Sequence, residues 1–522
     1  MKKTFIIFFS LISITIFGQN KNISNGIVFD GEPYLSINPN NSQHMVAAWM
    51  GYQFNNQIVI KTRVTFDAGN TWSTTKYIPH KSPTYTSADP SLQFDNSGNL
   101  FLAYIDYKLA RDSGTVFVTK STNGGLNWGT PVKAIDVYDD INTKFCIDRP
   151  WMVIDQSNGP NQGTIYVTTM NGEGGSPAPF NPYLVKSTNG GNSFSPYRYI
   201  DSTGYLAGSL VSQPMPTPSV GSDGTFYAIY PSYVVTQNPL PQFFIASSSN
   251  TGNSFNYNTV YTSATTFNDS LAKKGYLLIS NPANANHLAF FFLHNPNGDG
   301  DIYMLESLNK GASWGTPQKV NDDVAGNGKM QDMVWADFDD DGDLVVAWRD
   351  RRNASGTGYQ QPTEIYAAVR KSGSGSFAPN FKISNQSVAF DTVLNGSGND
   401  FMCIKLVDDT LSAVWGDTRN GRLNIWFQRI GFDGTILSTK SIASEKLPQI
   451  NIYPNPTKNY FSIESDAKIK SISILDVTGK VIRKIDVNDY KYACKVNDLP
   501  SGIYQIIAHT AIGTTIKSLV ID

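Results

Sequence analysis

One phrase constrains this chain more than any other feature, because it returns at near-regular intervals. It reads "TFDAGNTWS" at 65–73, "STNGGLNWG" at 121–129, "STNGGNSFS" at 187–195, "SSNTGNSFN" at 248–256 and "SLNKGASWG" at 307–315. All five fit Ser/Thr-x-Asp/Asn-x-Gly-x-Ser/Thr/Asn-Trp/Phe, and a degenerate copy, "SGSGSFA", stands at 372–378. Their third residues, Asp67, Asn123, Asn189, Asn250 and Asn309, are 56, 66, 61 and 59 residues apart. Self-similarity at such a period implies an array of supersecondary units that bury their cores by stacking.

Each copy has the chemistry of a hairpin turn. The Asp or Asn side chain can accept from backbone N–H groups, and glycine supplies the left-handed position. The aromatic then folds inward, so Trp128 is expected to anchor its turn on the core of its own unit rather than to bind anything. Around each copy the sequence alternates as strands do. "PYLSINPNNSQHMVAAWMG" gives two strands about a polar turn, and "NQIVIKTRVTFDAGNTWSTTKYI" gives two more about the repeat. The same grammar recurs in seven modules, at about 33–80, 89–135, 148–200, 211–261, 275–322, 329–385 and 398–442. Aromatics at 12% and charged residues at only 16% fit short strands joined by turns.

The repeats resemble the Asp-boxes of the sialidase-like (BNR-repeat) β-propellers. The resemblance implies an all-β fold of four-stranded sheets around an axis, seven-bladed by the module count and six-bladed in the alternative that sialidases themselves adopt. The tail reads differently. "YPNP" (453–456), "DVTGK" (476–480), "LPSGIY" (499–504) and Lys517 in the last strand resemble the C-terminal sorting domain of the Bacteroidetes type IX secretion system. That resemblance implies a small Ig-like β-sandwich over 447–522, export by the secretion machinery, and release or attachment at the cell surface. The first residues, "MKKTFIIFFSLISITIFGQN", predict a signal peptide over 1–18, with the propeller over 19–446. No later apolar run approaches the roughly 18 residues a membrane helix needs, so no transmembrane segment is expected. The 41 basic and 43 acidic residues balance, which argues against nucleic acid as a partner. Three cysteines give no disulfide framework.

Chemistry is expected where the inner strands begin. Glu32, Asp89, Asp148, Asp332 and Asp400 stand at or just before those starts, so their carboxylates should converge on one opening. They either cap their own strands or form a site. Two similar phrases, "AWRDRRN" and "VWGDTRNG", offer Arg352 and Arg419, and Arg149 makes a third guanidinium for a carboxylate ligand. Alternatively, Arg352 and Arg419 pair with Asp350 and Asp417 in their own sheets. Sialidases use three arginines, a Tyr–Glu nucleophile and an Asp acid, but here no arginine precedes Arg63 and the Tyr–Glu pair has no counterpart. Seven-bladed polysaccharide lyases, including ulvan lyases, need a His or Tyr base; His80 and His294 reach upper loops, with Tyr107, Tyr230 and Tyr233 in the same layer.

"DFDDDGD" places Asp337, Asp339, Asp341 and Asp343 like the first half of an EF-hand loop, with a structural Ca²⁺ the expected occupant, although the bidentate Glu is replaced by Trp348. "NPNGDGD" (295–301) is a weaker relative. The functional expectation is a carbohydrate-active enzyme of glycoside hydrolase type acting on an extracellular acidic glycan. The alternatives are a lyase of uronate polysaccharide and a non-catalytic glycan- or protein-binding propeller.

Overall fold

The computed structural model describes residues 20–53, 57–110, 112–140, 145–172, 177–211, 214–264, 275–390, 399–435, 437, 450–476, 480–510 and 514–522. The expected signal peptide, the expected division at 446/447 and residues 477–479 of the "DVTGK" motif lie outside these residues. The chain divides into two compact units after Leu437.

In the first unit the described strands form seven four-stranded antiparallel sheets. Their inner strands are Asp30–Asn38, Thr86–Phe94, Asp148–Ile154, Thr217–Val220, Tyr276–Ser280, Gln331–Phe338 and Cys403–Val407. Each packs on the next in chain order and the last packs on the first, which closes the ring of a β-propeller. Second strands lie between neighbouring sheets and need apolar residues on both faces; Leu344–Asp350 is buried at every position.

The ring is closed by hydrogen bonds between the two ends of the unit. The seventh sheet takes its outer strand from Lys21–Asn22, whose partners on Asn424–Gly431 are Phe427 and Trp426. The last module, 398–442, implies a fourth strand at 434–442, most of which lies outside the described residues. Asn20, only 3% exposed, fixes the register. Its side-chain amide donates to Ile383 O (3.2 Å) and Gln428 Oε1 (2.9 Å), and its oxygen accepts from Asn385 N–H (2.7 Å) and Arg419 Nη1 (2.8 Å).

All five repeats form the same turn. The first residue accepts from the glycine N–H, as in Gly125 to Ser121 Oγ (2.8 Å) and Gly311 to Ser307 Oγ (2.8 Å). The Asp or Asn oxygen accepts from the N–H four residues on, as in Thr71 to Asp67 (2.8 Å) and Asn127 to Asn123 (2.9 Å). The shared glycine has φ between +74° and +89° in every copy. It also faces the preceding sheet: a Cβ on Gly125 would stand 2.8 Å from Val46, and one on Gly311 2.9 Å from Ile245. Trp128 Nε1 donates to Thr62 Oγ1 of that preceding sheet (3.2 Å), and Trp72 meets Phe427 of the seventh sheet edge-on at 5.4 Å. These tryptophans therefore staple neighbouring sheets together instead of anchoring their own, because each turn lies over the adjoining sheet.

Aromatic rings close the axis. Trp151 of the third sheet meets Trp335 of the sixth at 5.6 Å, a contact between sheets that are not neighbours. Tyr34 packs on Trp335 (5.4 Å) and Phe401 (6.5 Å).

The second unit has five strands, Ile450–Tyr453, Tyr460–Leu475, Val481–Lys495, Gly502–Thr510 and Thr514–Ile521, in one hydrogen-bonded sheet. The long strand Tyr460–Leu475 shifts register between Glu464 and Ile469, pairing with Ile450–Tyr453 before the shift and with Gly502–Thr510 after it. Phe461, Ile463, Ile472, Ile474, Ile506 and Leu519 form a core common to both halves.

Candidate functional site

The site is built by a bulge that recurs where inner strands begin. Gly31 pairs with Met50 but Tyr34 with Ala48, so one extra residue is accommodated. The same offset separates Ala88 from Ser91, Asp148 from Trp151 and Asp332 from Trp335. The residue after the first of each pair is left-handed: Glu32 (φ +54°), Asp89 (+54°), Arg149 (+46°) and Met333 (+55°). Four non-glycine residues held there in register cost of order 1–3 kcal/mol each, and such strain collects at functional positions. The bulge also corrects the sequence alignment. Asp148 and Asp332 are not the counterparts of Glu32 and Asp89; they stand one residue earlier, and Arg149 and Met333 occupy the shared position.

Four of the five expected carboxylates and one of the three expected arginines come together. The Arg149 guanidinium bonds the Asp400 carboxylate, spanning the axis from the third sheet to the seventh. Both side chains keep about a fifth of their surface, 22% and 18%. Arg149 N–H donates to Asp89 Oδ2 (3.3 Å), and the carboxyl groups of Asp89 and Asp148 are hydrogen-bonded to one another. The charges of Asp148, Asp89 and Glu32 all act on Arg149 and, against its burial, raise its pKa. Burial first, and then the adjacent Asp89 carboxyl, push Asp148 up to about 7. Asn399 holds the rim together, its Oδ1 lying 3.5 Å from Glu32 N and its Nδ2 donating to Gly416 O (3.1 Å). Beside the cluster, Tyr276 donates to Met215 O (2.7 Å). Tyr34, Trp151 and Trp335 of the aromatic plug stand in the same strands immediately after the bulges, and Phe401 stands just before the seventh inner strand.

The remaining expected residues are engaged elsewhere. Asp332 is fully buried between Arg349 (Nε, 2.7 Å) and Arg351 (Nη1, 3.3 Å). Burial alone would raise its carboxyl, but these two guanidiniums hold it below the usual range. Arg352 is bound within its sheet to Asp350 (2.9 Å), with Tyr366 beneath it. Arg419 is bound to Asp417 (2.5 Å) and stacks on Trp426. Both arginines follow a Trp–x–Asp pattern in which the tryptophan Nε1 also donates to the aspartate, so each completes an intrasheet knot. His80 Nδ1 lies 2.8 Å from Asp106 and 3.0 Å from Ser87 Oγ. His294 sits among Tyr261, Phe292 and Tyr303, where burial lowers its pKa. No described contact joins either histidine to the axial cluster. Tyr230 is buried, with its hydroxyl donating to Tyr205 O (2.7 Å).

The Asp-rich turn is also partly redistributed. Asp337 belongs to the inner strand, bonded to Lys405 Nζ (3.0 Å) and Leu406 N–H (3.0 Å), and so is set apart from the turn. Asp339 and Asp343 instead group with Asp409 of the seventh sheet, with candidate ligand oxygens within 4.8 Å of one another. Lys371 Nζ bonds Asp343 (2.5 Å) and Asp409 (2.9 Å). Asp341 shares a hydrogen bond with Asp339, whose carboxyl burial and that contact push up to about 7. Sequence reading missed Asn399, Arg349, Arg351, Lys371 and Asp409. Only "RDRR" at 349–352 carried a signal, and there attention fell on the last arginine.

Residues 451–522 match the family model described as "Secretion system C-terminal sorting domain". The type IX sorting domain is therefore present, and the protein is secreted or attached at the cell surface. No curated protein matches the chain. Among solved structures it is similar to a protein of unknown function from Dyadobacter fermentans DSM 18053 (13% identity, 78% of this chain and 98% of that one, TM-score 0.40). It is similar also to Penicillium chrysogenum alpha-L-arabinanase (12%, 80% and 99%, 0.45) and to the phage phi92 endosialidase (11%, 97% and 88%, 0.45).

Proposed function

We propose that this secreted, sorting-domain-bearing propeller is a glycoside hydrolase that works at its axial mouth on an extracellular glycan. The observation that carries the reading is the gathering of Glu32, Asp89, Asp148 and Asp400 around Arg149, where burial and the neighbouring Asp89 carboxyl push Asp148 up to about 7. A carboxyl group protonated at that pH can donate to a glycosidic oxygen, and an ionised carboxylate across the site can support the oxocarbenium-like transition state or activate water. We assign the second role to Asp400, which Arg149 binds.

The charge at the mouth refines the substrate. Four carboxyl groups face one guanidinium, and Arg352 and Arg419 are bound in their own sheets, so a neutral glycan suits the site better than the acidic one the three arginines implied. Neither His80 nor His294 has a described contact with the cluster, which counts against elimination through a histidine base. A non-catalytic binding propeller has one observation in its favour: the cross-axis ion pair occupies both Arg149 and Asp400.

The purified secreted protein should be incubated with neutral and uronate-containing polysaccharides while reducing ends and the ultraviolet absorbance of unsaturated products are followed. Release of reducing ends that disappears in Asp148→Asn, with an unchanged melting temperature, supports hydrolysis. Unsaturated products would establish elimination instead. Saturable binding without turnover would leave the binding reading standing.

A further inference from the structure

Two turns of this chain read as calcium loops, and the structure separates them by charge. At 337–343 the chain supplies its own cations: Lys405 answers Asp337, and Lys371 answers both Asp343 and Asp409. At 295–301 it supplies one, Lys319. Asp299 and Asp301 are 2% and 0% exposed, and the side chain of Asp323 is 8% exposed. One ammonium faces them among the described contacts: Lys319 Nζ, 3.2 Å from Asp301 Oδ1 and 3.8 Å from Asp323 Oδ1. Arg352 is bound to Asp350 (2.9 Å) and Asp322 (2.6 Å), and its charge also acts on Asp323. Asp299, Asp301, Asp323 and Asp350, all more than nine-tenths buried, and the half-exposed Asp322 thus face two cations, Lys319 and Arg352, an excess of negative charge that a further cation would offset.

Two buried oxygens mark where that cation would sit. Asp301 Oδ1 accepts from Asn321 Nδ2 (2.6 Å), but Asp301 Oδ2 has no donor among the described residues. Gln331, also 0% exposed, donates through Nε2 to Asp323 Oδ2 (3.2 Å), while its Oε1 has no donor. Gln331 N–H donates to Gly300 O (2.7 Å), which sets Gln331 beside Asp301. Gly326 and Gly328 N–H groups close the segment over Asp299 (3.1 and 2.9 Å).

We propose that the turn at 295–301 and the segment 321–331 together form a calcium site, with Asp301 Oδ2 and Gln331 Oε1 as ligand atoms and Asp299 and Asp323 supplying charge beside them. The donors are oxygen throughout, which suits a hard cation completed by water. The ion would fix Gln331, and with it the start of the sixth inner strand two residues before left-handed Met333. A buried water could donate to both free oxygens, but it would leave the charge unbalanced.

The full secreted chain, stripped with chelator and dialysed, should be titrated with calcium by calorimetry and with terbium by luminescence excited through tyrosine, since Tyr303 is two residues along the strand from Asp301. The wild type is expected to bind about one calcium per chain, and Asp301→Asn or Asp323→Asn to weaken it by at least about tenfold. Asp343→Asn, in the other turn, should leave calcium affinity unchanged. Tyr303→Phe should dim the terbium signal without changing affinity, a readout that does not depend on an altered ligand folding. Absence of calcium binding by the wild type would overturn the site in favour of water. So would binding lost in Asp343→Asn but kept in Asp301→Asn.

Discussion

Asp148, like Asp339, has a second carboxyl beside it, and desolvation and that neighbour push it up to about 7. The consequence for pH runs in one direction. A carboxyl whose folded pKa is raised to about 7 adds stability that is fully present below its unfolded value near 4 and is lost as pH rises through about 7. The melting temperature should therefore fall over that window. Asp148→Asn, which cannot titrate, should flatten the decline; equal slopes in the two proteins would show that Asp148 is ordinarily ionised. Asp339, also raised to about 7, adds a slope of the same sign, but it is common to both proteins and cancels in the comparison. At this scale the sequence was half legible. Glu32 and Asp89 announce themselves because each precedes a proline at a strand start, whereas the one-residue bulge that puts Arg149 level with them leaves no mark in the spacing. Arg352 and Arg419 looked available because the aspartate two residues before each is as good a turn former as a partner.

The repeated turn shows the same limit one level up. Its pattern disclosed a hairpin with a left-handed glycine, and the hydrogen bonds of all five copies follow from that pattern. It could not disclose that the glycine and the aromatic serve the junction with the preceding sheet, because that neighbour is about sixty residues away in the chain. The distinction can be measured. Gly311→Ala places a Cβ 2.9 Å from Ile245 at φ +82°, and should lower stability by roughly 1–3 kcal/mol in chemical denaturation. An unchanged midpoint would mean the junction yields. The outer strand of the seventh sheet was misassigned for a related reason: Lys21–Asn22 is only two residues long and pairs across the whole unit, so no local periodicity reveals it. Asn20→Ala removes a buried amide with four partners, and should cost about 1–3 kcal/mol. A loss below 0.5 kcal/mol, the scale of an ordinary surface change, would show that closure does not depend on it.

For the whole molecule, the two units answer to different demands. The propeller has its own closed ring, in which the final sheet is completed by Lys21–Asn22, and among the described residues its strands pair without any residue after Leu437. The tail has its own core of Phe461, Ile463, Ile472, Ile474, Ile506 and Leu519, and it carries the sorting signal. Stability and destination should therefore separate. A chain ending at Lys446 should melt cooperatively at the temperature of the propeller transition in the full protein, and should keep whatever turnover the axial mouth supports. Expressed in its own cell, the same shortened chain should accumulate inside the outer membrane, while the full chain is found in the medium or on the cell surface. Fractionation with antibody against the propeller reads the second outcome and calorimetry the first. Loss of the propeller transition on shortening would show that the tail is part of the folding unit. Surface display of the shortened chain would show that export is directed from within residues 19–446.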